Sequence, residues 1–281
     1  MTFSIVARSA DGTAYGVAVA SKFLAVGAAV PAAEAGVGAL ATQSYANLAY
    51  RPQGLALLRT GVAPADVVAG LTAADGGRAQ RQLGVVGSTG DGATFTGESC
   101  HEWAGGVAGD GYAIQGNILT GPEVVDAMAA AWATAADARF ARQLLAALRA
   151  GDEAGGDRRG RQSAALLVVA PKQGYGGTSD VVVDLRVDDH TDPVGELSRL
   201  LDLHTLYFDK PASEALLDLT GELAAEVATR LTELGRAPAD DTPAALDAAL
   251  AAWAGVENLE ERIVAGQIDP LVLDHLRRGA P

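Results

Sequence analysis

The chain has 281 residues, of which 49% are hydrophobic and 20% are charged. This composition supports a sizeable buried core and excludes a largely disordered chain. The 35 Asp and Glu residues outnumber the 21 Lys and Arg residues, so the formal net charge is −14. Such a charge repels phosphate groups and disfavours nucleic-acid partners. The single cysteine, Cys100, rules out an internal disulfide and a multi-cysteine metal site.

The N-terminus lacks the basic segment and apolar run of a secretory signal. The stretch closest to a membrane span, residues 23–41, contains Pro31, Glu34 and glycines among weakly hydrophobic alanines. That pattern is typical of packed strands and turns rather than of a bilayer helix. We therefore expect a cytoplasmic protein without membrane contact.

The first two thirds of the chain mix short strands with helices. Strands are predicted over residues 3–8, 15–21, 23–30 and 36–42, helices over 53–60 and 63–71, and a hairpin over 82–86 and 93–96. A strand over 112–119, one long helix over 123–150, strands over 163–169 and 181–187 and a helix over 192–204 follow. This order favours antiparallel sheets covered by helices over a doubly wound parallel sheet.

The composition changes near residue 210. Residues 211–281 lack strand-like runs, predict three or four helices, and hold 13 acidic and five basic residues. We therefore expect two domains, residues 1–209 and 210–281.

The usual motifs for nucleotide, metal and serine-triad chemistry give no positive signal. A P-loop, a strand-to-helix Gly-x-Gly-x-x-Gly and a Gly-x-Ser-x-Gly elbow are all absent. The His/acid clusters, His101 with Glu102 and Asp188 with Asp189 and His190, each offer too few ligands on one face. We predict neither a metal nor a cofactor, and we expect the second cluster to cap the following helix.

The N-terminus itself carries the most specific chemistry. Thr2 follows Met1, and methionine removal favours a small second residue. The new α-amine would titrate near pH 8 and could act as a base for the Thr2 hydroxyl. A retained Met1 would cap this amine and abolish the chemistry.

Several segments of the chain resemble one family. They are TFSIVAR (2–8), GVAVASKFLAVG (16–27), ATQSYAN (41–47), QGNIL (115–119), GGDRRGRQSA (155–164) and LRVDDH (185–190). Together they resemble the DUF1028 family, which is placed among the N-terminal-nucleophile (Ntn) hydrolase folds. Residues 212–280, with WAGVENLEER at 253–262, resemble the small helical peptidoglycan-binding-like module often attached to it.

The resemblance implies an α+β fold: a four-layer αββα sandwich of two antiparallel sheets, followed by a small all-α domain. The resemblance does not indicate which substrate the protein acts on. Because Ntn-type proteins commonly pair, we also expect a homo-oligomer.

The candidate catalytic residues are Thr2 as nucleophile, Ser21 as a hydrogen-bond partner of its amine, Lys22 and Asn117. Lys22 follows the second strand, where its charge would lower the proton affinity of the amine. Each has a structural alternative. Thr2 could simply open a strand, and Ser21 could be a hydroxyl at a sheet edge. Lys22 could be a solvated lysine, and Asn117 could be a turn-capping amide.

The candidate substrate-binding residues form two groups. Amide and hydroxyl groups near strand ends could stabilise an oxyanion or hold a substrate, or could cap turns instead; they are Gln43, Ser44, Asn47 and Gln115. A glycine-rich loop could bind an acidic group, or could be a solvated loop or a subunit contact; its residues are Asp157, Arg158, Arg159, Gln162 and Ser163.

Two functions follow from these residues. In the first, the protein is an Ntn amidohydrolase that cleaves a small amide or related acyl bond through Thr2, on a small substrate that carries an acidic group. Transfer to an amine instead of water is equally compatible. In the second, the fold is non-catalytic, and residues 211–281 bind glycan, peptidoglycan or a protein.

Overall fold

The computed structural model describes residues 2–136 and 139–279. The chain divides into two compact units, Met1–Leu200 and Leu201–Pro281. The point of division lies within a helix that ends at Phe208. The domain boundary that we predict near residue 210 follows the end of this helix and remains a proposal.

The first unit alternates strands and helices. In chain order its elements are β1 (Thr2–Arg8), β2 (Tyr15–Ser21), α1 (Val26–Ala29), β3 (Pro31–Glu34), β4 (Gly38–Ser44), α2 (Tyr50–Arg59), α3 (Pro64–Ala73), β5 (Arg81–Gly87), β6 (Ala93–Thr96), β7 (Gly105–Gly109), β8 (Tyr112–Asn117), α4 (Glu123–Thr134), α5 (Phe140–Glu153), β9 (Ser163–Val169), β10 (Val181–Val187) and α6 (Pro193–Phe208).

The strands form two antiparallel sheets. Among the described residues, sheet A has six strands in the order β10-β9-β2-β1-β8-β7, and sheet B has four in the order β3-β4-β5-β6. In the centre of sheet A, β1 lies between β2 and β8. All seven residues of β2 are buried. Burial on both faces explains why these strands are almost continuously apolar instead of alternating.

The layers follow from which elements pack together. Strands β1, β2 and β8 of sheet A face β4 and β5 of sheet B. Helices α4 and α5 cover the other face of sheet A, and α2 and α3 cover the other face of sheet B. The predicted αββα sandwich of two antiparallel sheets is therefore confirmed.

The strands predicted for the first unit differ from the structure in places. The strand predicted over 23–30 is instead a turn followed by α1. The Ser163 hydroxyl stabilises this turn, because it donates to the Phe23 carbonyl (2.5 Å) and accepts from the Val26 N–H (3.1 Å). Strand β7 was missed because its sequence, GGVAG, lacks the bulky residues that indicate strands.

The long helix predicted over 123–150 is two helices, α4 and α5, that pack against each other. A single helix of that length would extend about 42 Å, roughly twice the length of a seven-residue strand. By doubling back, the segment covers the sheet with both halves. Buried contacts with sheet A therefore outweigh the local preference for one continuous helix.

The second unit is mainly helical, as predicted. It contains β11 (Leu217–Asp218), α7 (Gly221–Glu233), α8 (Pro243–Val256), β12 (Gln267–Ile268) and α9 (Pro270–Arg278). Its core is built around Leu231, Leu250, Trp253 and Val272. The buried Arg262 guanidinium pairs with Asp269, which caps α9, and also donates to the Leu206 carbonyl. None of the helices in the described ranges combines the length and apolar character needed to cross a bilayer.

Candidate functional site

Strand register brings most of the predicted site residues to one end of the sandwich. Thr2, the first residue of β1, pairs with Asn117 at the end of β8. Ser21, the last residue of β2, pairs with Ser163 at the start of β9. In sheet B, the end of β4 at Ser44 lies at the same end, because Gln43 contacts Thr2. We call this the site end, defined by Thr2, Ser21, Ser44, Asn117 and Ser163.

Thr2 lies between the sheets with its backbone held on both sides. Its hydroxyl lies 3.1 Å from the Ser21 hydroxyl, and the residue is 5% exposed. Its carbonyl accepts from Gln43 Nε2 at 3.2 Å and from Asn117 Nδ2 at 3.4 Å. An N-terminal residue usually frays, whereas these bonds hold Thr2 in the sheet. Removal of Met1 is still a prediction, because Met1 lies outside the described residues.

Gln82 on β5 is the centre of the amide network around Thr2. Its Oε1 accepts from Gln43 Nε2 and from Asn117 Nδ2, both at 2.8 Å. Its Nε2 donates to the Gly116 carbonyl at 2.7 Å and to Thr96 Oγ1 at 2.9 Å. Gln82 is not among the site residues predicted from the sequence. Its one signal is a polar residue at the start of an otherwise apolar strand.

A second set of polar groups continues the network inward. The Ser4 hydroxyl donates to Gln43 Oε1 at 2.7 Å and accepts from Gln115 Nε2 at 2.6 Å. Gln115 is fully buried against Gly84, where a Cβ atom would lie 2.1 Å from Gln115 Oε1. Gly84 is therefore required to make room for this side chain. Gln115 Oε1 is the one buried side-chain oxygen without a partner among the described residues.

This network changes the interpretation of three predicted residues. The amide hydrogens of Gln43 and Asn117 already point at the Thr2 carbonyl and Gln82 Oε1. Gln115 is sealed between the sheets. We therefore interpret Gln43 and Asn117 as a clamp that joins the sheets and holds Thr2, and Gln115 as a buried partner of Ser4, rather than as contacts to a substrate or an oxyanion.

Asn47 supports a turn, which was the structural alternative for it. Its Oδ1 accepts from the Ala49 N–H, and its Nδ2 donates to Asp75 Oδ2 at 3.1 Å. Asp75 also accepts from Arg81 Nε and from the Tyr50 hydroxyl, each at 2.9 Å. Ser44, just before this turn, has a positive φ of 68°.

Asp75 is the most strongly perturbed carboxyl in this region. The hydrogen bond from Arg81 and then the Gly77 N–H hold its pKa well below the usual range. Burial and the bond to Asp75 raise the pKa of Tyr50 to about 12. Asp75 is thus a charged anchor that fixes the loop after β4 to the start of β5, and the sequence analysis missed it.

Asp157 fastens the glycine-rich loop to the end of β2. Its side chain is 3% exposed. Its Oδ2 accepts from the Lys22 N–H at 2.8 Å, and its Oδ1 accepts from the Arg159 N–H at 2.8 Å. Asp157 therefore positions the chain next to Ser21 and has little surface for a substrate.

The cations of this loop are exposed at the site end. Arg158 and Arg159 lie at the surface, and Arg159 Nη2 is 3.3 Å from Asp157 Oδ2. Lys22 is exposed, and its Nζ donates to the Arg161 carbonyl at 3.2 Å. These three side chains are available to an acidic ligand, so the predicted role of the loop as an anion site rests on them.

Gln162 and Ser163 have structural partners. Gln162 Nε2 donates to Asp189 Oδ1 at 3.1 Å, and Ser163 is fully buried in the turn before α1. His190 Nδ1 accepts from the Asp192 N–H at 3.0 Å, close to the start of α6. The cap of α6 comes from Asp192, whose Oδ1 accepts from the Gly195 N–H at 3.2 Å, and not from the cluster at 188–190 that we expect to cap this helix. In the described ranges, no group of three or more His, Cys, Asp or Glu side chains is arranged to hold a metal ion.

Residues 2–197 match the sequence model of the Family of unknown function (DUF1028), which covers well over half of the chain. The chain belongs to the DUF1028 family. The crystal structure of protein SPO2555 from Silicibacter pomeroyi, also assigned to DUF1028, is 33% identical to this DUF1028 chain. That comparison has a TM-score of 0.65 and covers 80% of this chain and 92% of that one.

Beyond the DUF1028 region, residues 207–276 match the family described as "Putative peptidoglycan binding domain". No curated protein matches the chain. The resemblance read from the sequence is therefore confirmed for both parts of the chain, and neither description names a reaction.

Replacing Gln82 tests the amide network. The Q82L variant removes the acceptor of Gln43 and Asn117 and the donor to Gly116 in a dry interior. Each orphaned buried group costs about 1–3 kcal/mol, so we expect the free energy of unfolding to fall by about 3–5 kcal/mol. Urea unfolding measures this change, and the exposed Q53L variant on α2 should stay within about 0.5 kcal/mol of wild type. A Q82L loss below about 1 kcal/mol would contradict the network's role.

Replacing Asp75 tests the charged anchor through its pH dependence. Because the folded state depresses the pKa of Asp75, its stabilisation is present above the usual carboxyl pKa and is lost as pH falls towards the folded value. We expect D75N to be less stable than wild type at pH 7, with the difference shrinking between about pH 5 and pH 2. Chemical unfolding at several pH values measures it. The control D110N, at a carboxyl 85% exposed, should keep the wild-type slope, and a pH-independent D75N difference would refute the assignment.

Proposed function

We propose that this DUF1028 protein is an N-terminal-nucleophile amidohydrolase in which Thr2, after excision of Met1, attacks a small amide or related acyl bond. One observation carries the proposal. Thr2 begins the central strand, its carbonyl is clamped by Gln43 and Asn117, and its hydroxyl lies 3.1 Å from that of Ser21. A nucleophile needs this kind of fixed position, and a frayed terminus would not supply it.

The chemistry uses the two functional groups of one residue. The free α-amine takes the hydroxyl proton as Thr2 Oγ1 attacks the carbonyl carbon. The Oγ1–C bond forms, the C–N bond breaks, and the proton passes to the leaving amine. Water then attacks the acyl ester while the amine accepts a proton from it. The Oγ1–C bond breaks, the proton passes from the amine to Oγ1, and a carboxylic acid leaves. Ser21 would orient Thr2 Oγ1 through their hydrogen bond.

Access to Thr2 is a requirement of this proposal. The residue is 5% exposed, so excision of Met1 must open a path to the hydroxyl. The clamp amides are already engaged, so donors to the oxyanion must come from other groups. We propose the protonated Thr2 amine and the ammonium of Lys22, the residue that follows Ser21 at the end of β2.

The substrate class follows from charge. Lys22, Arg158 and Arg159 are exposed at the site end of a protein whose net charge is −14. A local group of cations in an acidic protein favours a ligand with a carboxylate. We therefore propose a small amide that carries an acidic group as the substrate, with no cofactor.

The nucleophile is tested by intact mass spectrometry. Protein purified without an N-terminal tag should lack Met1 and should gain one acyl adduct when incubated with a library of activated amides, lactams and imides. In T2A the adduct and any turnover should fall by at least about 10³-fold, because the nucleophile is gone, and T2S should restore part of both.

A matched control keeps the Thr2 side chain but blocks its amine. A chain with a permanent N-terminal extension should fold like wild type and form no adduct. Retention of Met1 in active protein, or equal turnover in T2A and wild type, would rule out the proposal.

A second function, contact with peptidoglycan, is favoured by a feature of the second unit. Residues 207–276 match the peptidoglycan-binding model, and the same unit contains a cleft of about 860 Å³ beside α7. A cleft of this volume is within the range of ligand sites. We propose it as a binding role beside the hydrolase activity.

Retention on cell-wall material tests the binding role. The full chain should co-sediment with purified peptidoglycan sacculi and be released by soluble muropeptides, because the ligand is part of the wall. An unrelated protein of similar negative charge is the control. Sedimentation no greater than that of the control would reject the binding role.

A further inference from the structure

The cleft of the second unit lies between one face of α7 and the segment 237–243. Its α7 wall carries Ala224, Ala225 and Ala228, which occupy one helix face. Side chains of this size leave room for a ligand to approach the helix backbone closely. The α7 wall of the cleft is therefore formed by short side chains close to the helix backbone.

Three of the four threonine hydroxyls that line the cleft present acceptors. Thr229 Oγ1 donates its proton to the Ala225 carbonyl, and Thr232 Oγ1 donates to the Ala228 carbonyl, both at 2.8 Å. Thr242 Oγ1 donates to Asp240 Oδ1 at 2.5 Å. Each hydroxyl has one proton, so these three can offer a ligand only lone pairs.

The remaining charge in the cleft is negative. Its lining includes Glu233, Asp240 and Asp241, and no Lys, Arg or His is among the lining residues. Glu233 already forms an ion pair with Arg230 at 3.0 Å. Asp240 and Asp241 therefore supply most of the negative charge that a ligand in the cleft would meet. Hydrogen bonds from Thr242 keep the pKa of Asp240 below its usual value, so this carboxyl is charged at neutral pH. The lining thus combines lone-pair acceptors with carboxylates, which complements a ligand rich in donors and positively charged.

We propose that this cleft binds the free side-chain ammonium of the diamino acid in a peptidoglycan stem peptide, with Asp240 and Asp241 as its partners. The proposal rests on the binding role proposed above and specifies the part of the polymer that is recognised. An ammonium has three donors and no acceptor, which matches this lining.

The glycan strand fits the cleft less well. No Trp, Tyr or Phe lines it, so a sugar ring finds no aromatic face on which to stack. Sugar hydroxyls are neutral and gain less from the two aspartates than an ammonium does. The charge of the cleft therefore selects the stem peptide over the sugar backbone.

A pair of soluble peptides tests the proposal on the full chain. One is a synthetic stem tetrapeptide with lysine as its diamino acid, and the other is the same peptide acetylated on the lysine side-chain nitrogen. Both are acetylated at the N-terminus, so only one amine differs. Calorimetric titration should give an affinity at least about tenfold higher for the free amine, and the difference should shrink at high salt.

Two variant pairs locate the binding. The D240N/D241N variant should lose the preference for the free amine, whereas D274N, at an exposed carboxyl on α9, should keep it. A225W fills the cleft from an exposed position and should weaken the binding of the free-amine peptide at least about tenfold. A251W, at an exposed position on α8 outside the lining, should bind like wild type. Thermal unfolding confirms that each variant is folded.

The outcomes separate this proposal from the binding role itself. Equal affinity for the two peptides, an unchanged preference in D240N/D241N, or equal binding by A225W and A251W would overturn the cleft assignment. If sacculi still retained the protein in those cases, the binding role would stand with a different contact. Amine-dependent peptide binding without retention on sacculi would support the cleft and reject the wall as its natural ligand.

Discussion

The packing of the two sheets in the first unit depends on hydrogen bonds between polar side chains that are buried between them. An amide in such a place costs free energy unless its donors and acceptors are paired, and Gln82 supplies the pairing for Gln43 and Asn117. The same bonds leave one amide hydrogen from each partner for the Thr2 carbonyl. These hydrogen bonds offset the free-energy cost of burying the amides, and they also fix the position of Thr2, the first residue of the central strand.

The surroundings of Thr2 divide into positioning groups and exposed groups. Asp157 holds the end of β2 through the Lys22 N–H, and Ser163 closes the turn that follows. Both are buried, so they act on the site through the backbone. Arg158 and Arg159 stay at the surface of the same loop and can meet a ligand directly. The loop thus combines buried groups that fix the backbone with exposed cations at its surface.

The two units present opposite chemistry to ligands. The site end of the first unit exposes cations. The cleft of the second unit is lined by carboxylates and by three hydroxyls whose protons are donated to groups of the same unit. These two surfaces are the basis of the ligand classes proposed above, an acidic small molecule and an amine. Each preference follows from local side chains and not from the net charge of the chain, which is negative overall.

The sequence by itself determined the class of fold and the position of Thr2. An almost continuous apolar run such as 15–21 indicates a buried strand, and the acidic, alanine-rich segment after residue 210 indicates helices. Both signals are local features of the sequence. Only the tertiary structure decided that 123–150 folds back as two helices and that Gln43 and Asn117 clamp the sheets. Those outcomes depend on partners far along the chain, such as Gln82 and sheet A. A local sequence pattern does not indicate which distant group will form a hydrogen bond with a buried amide.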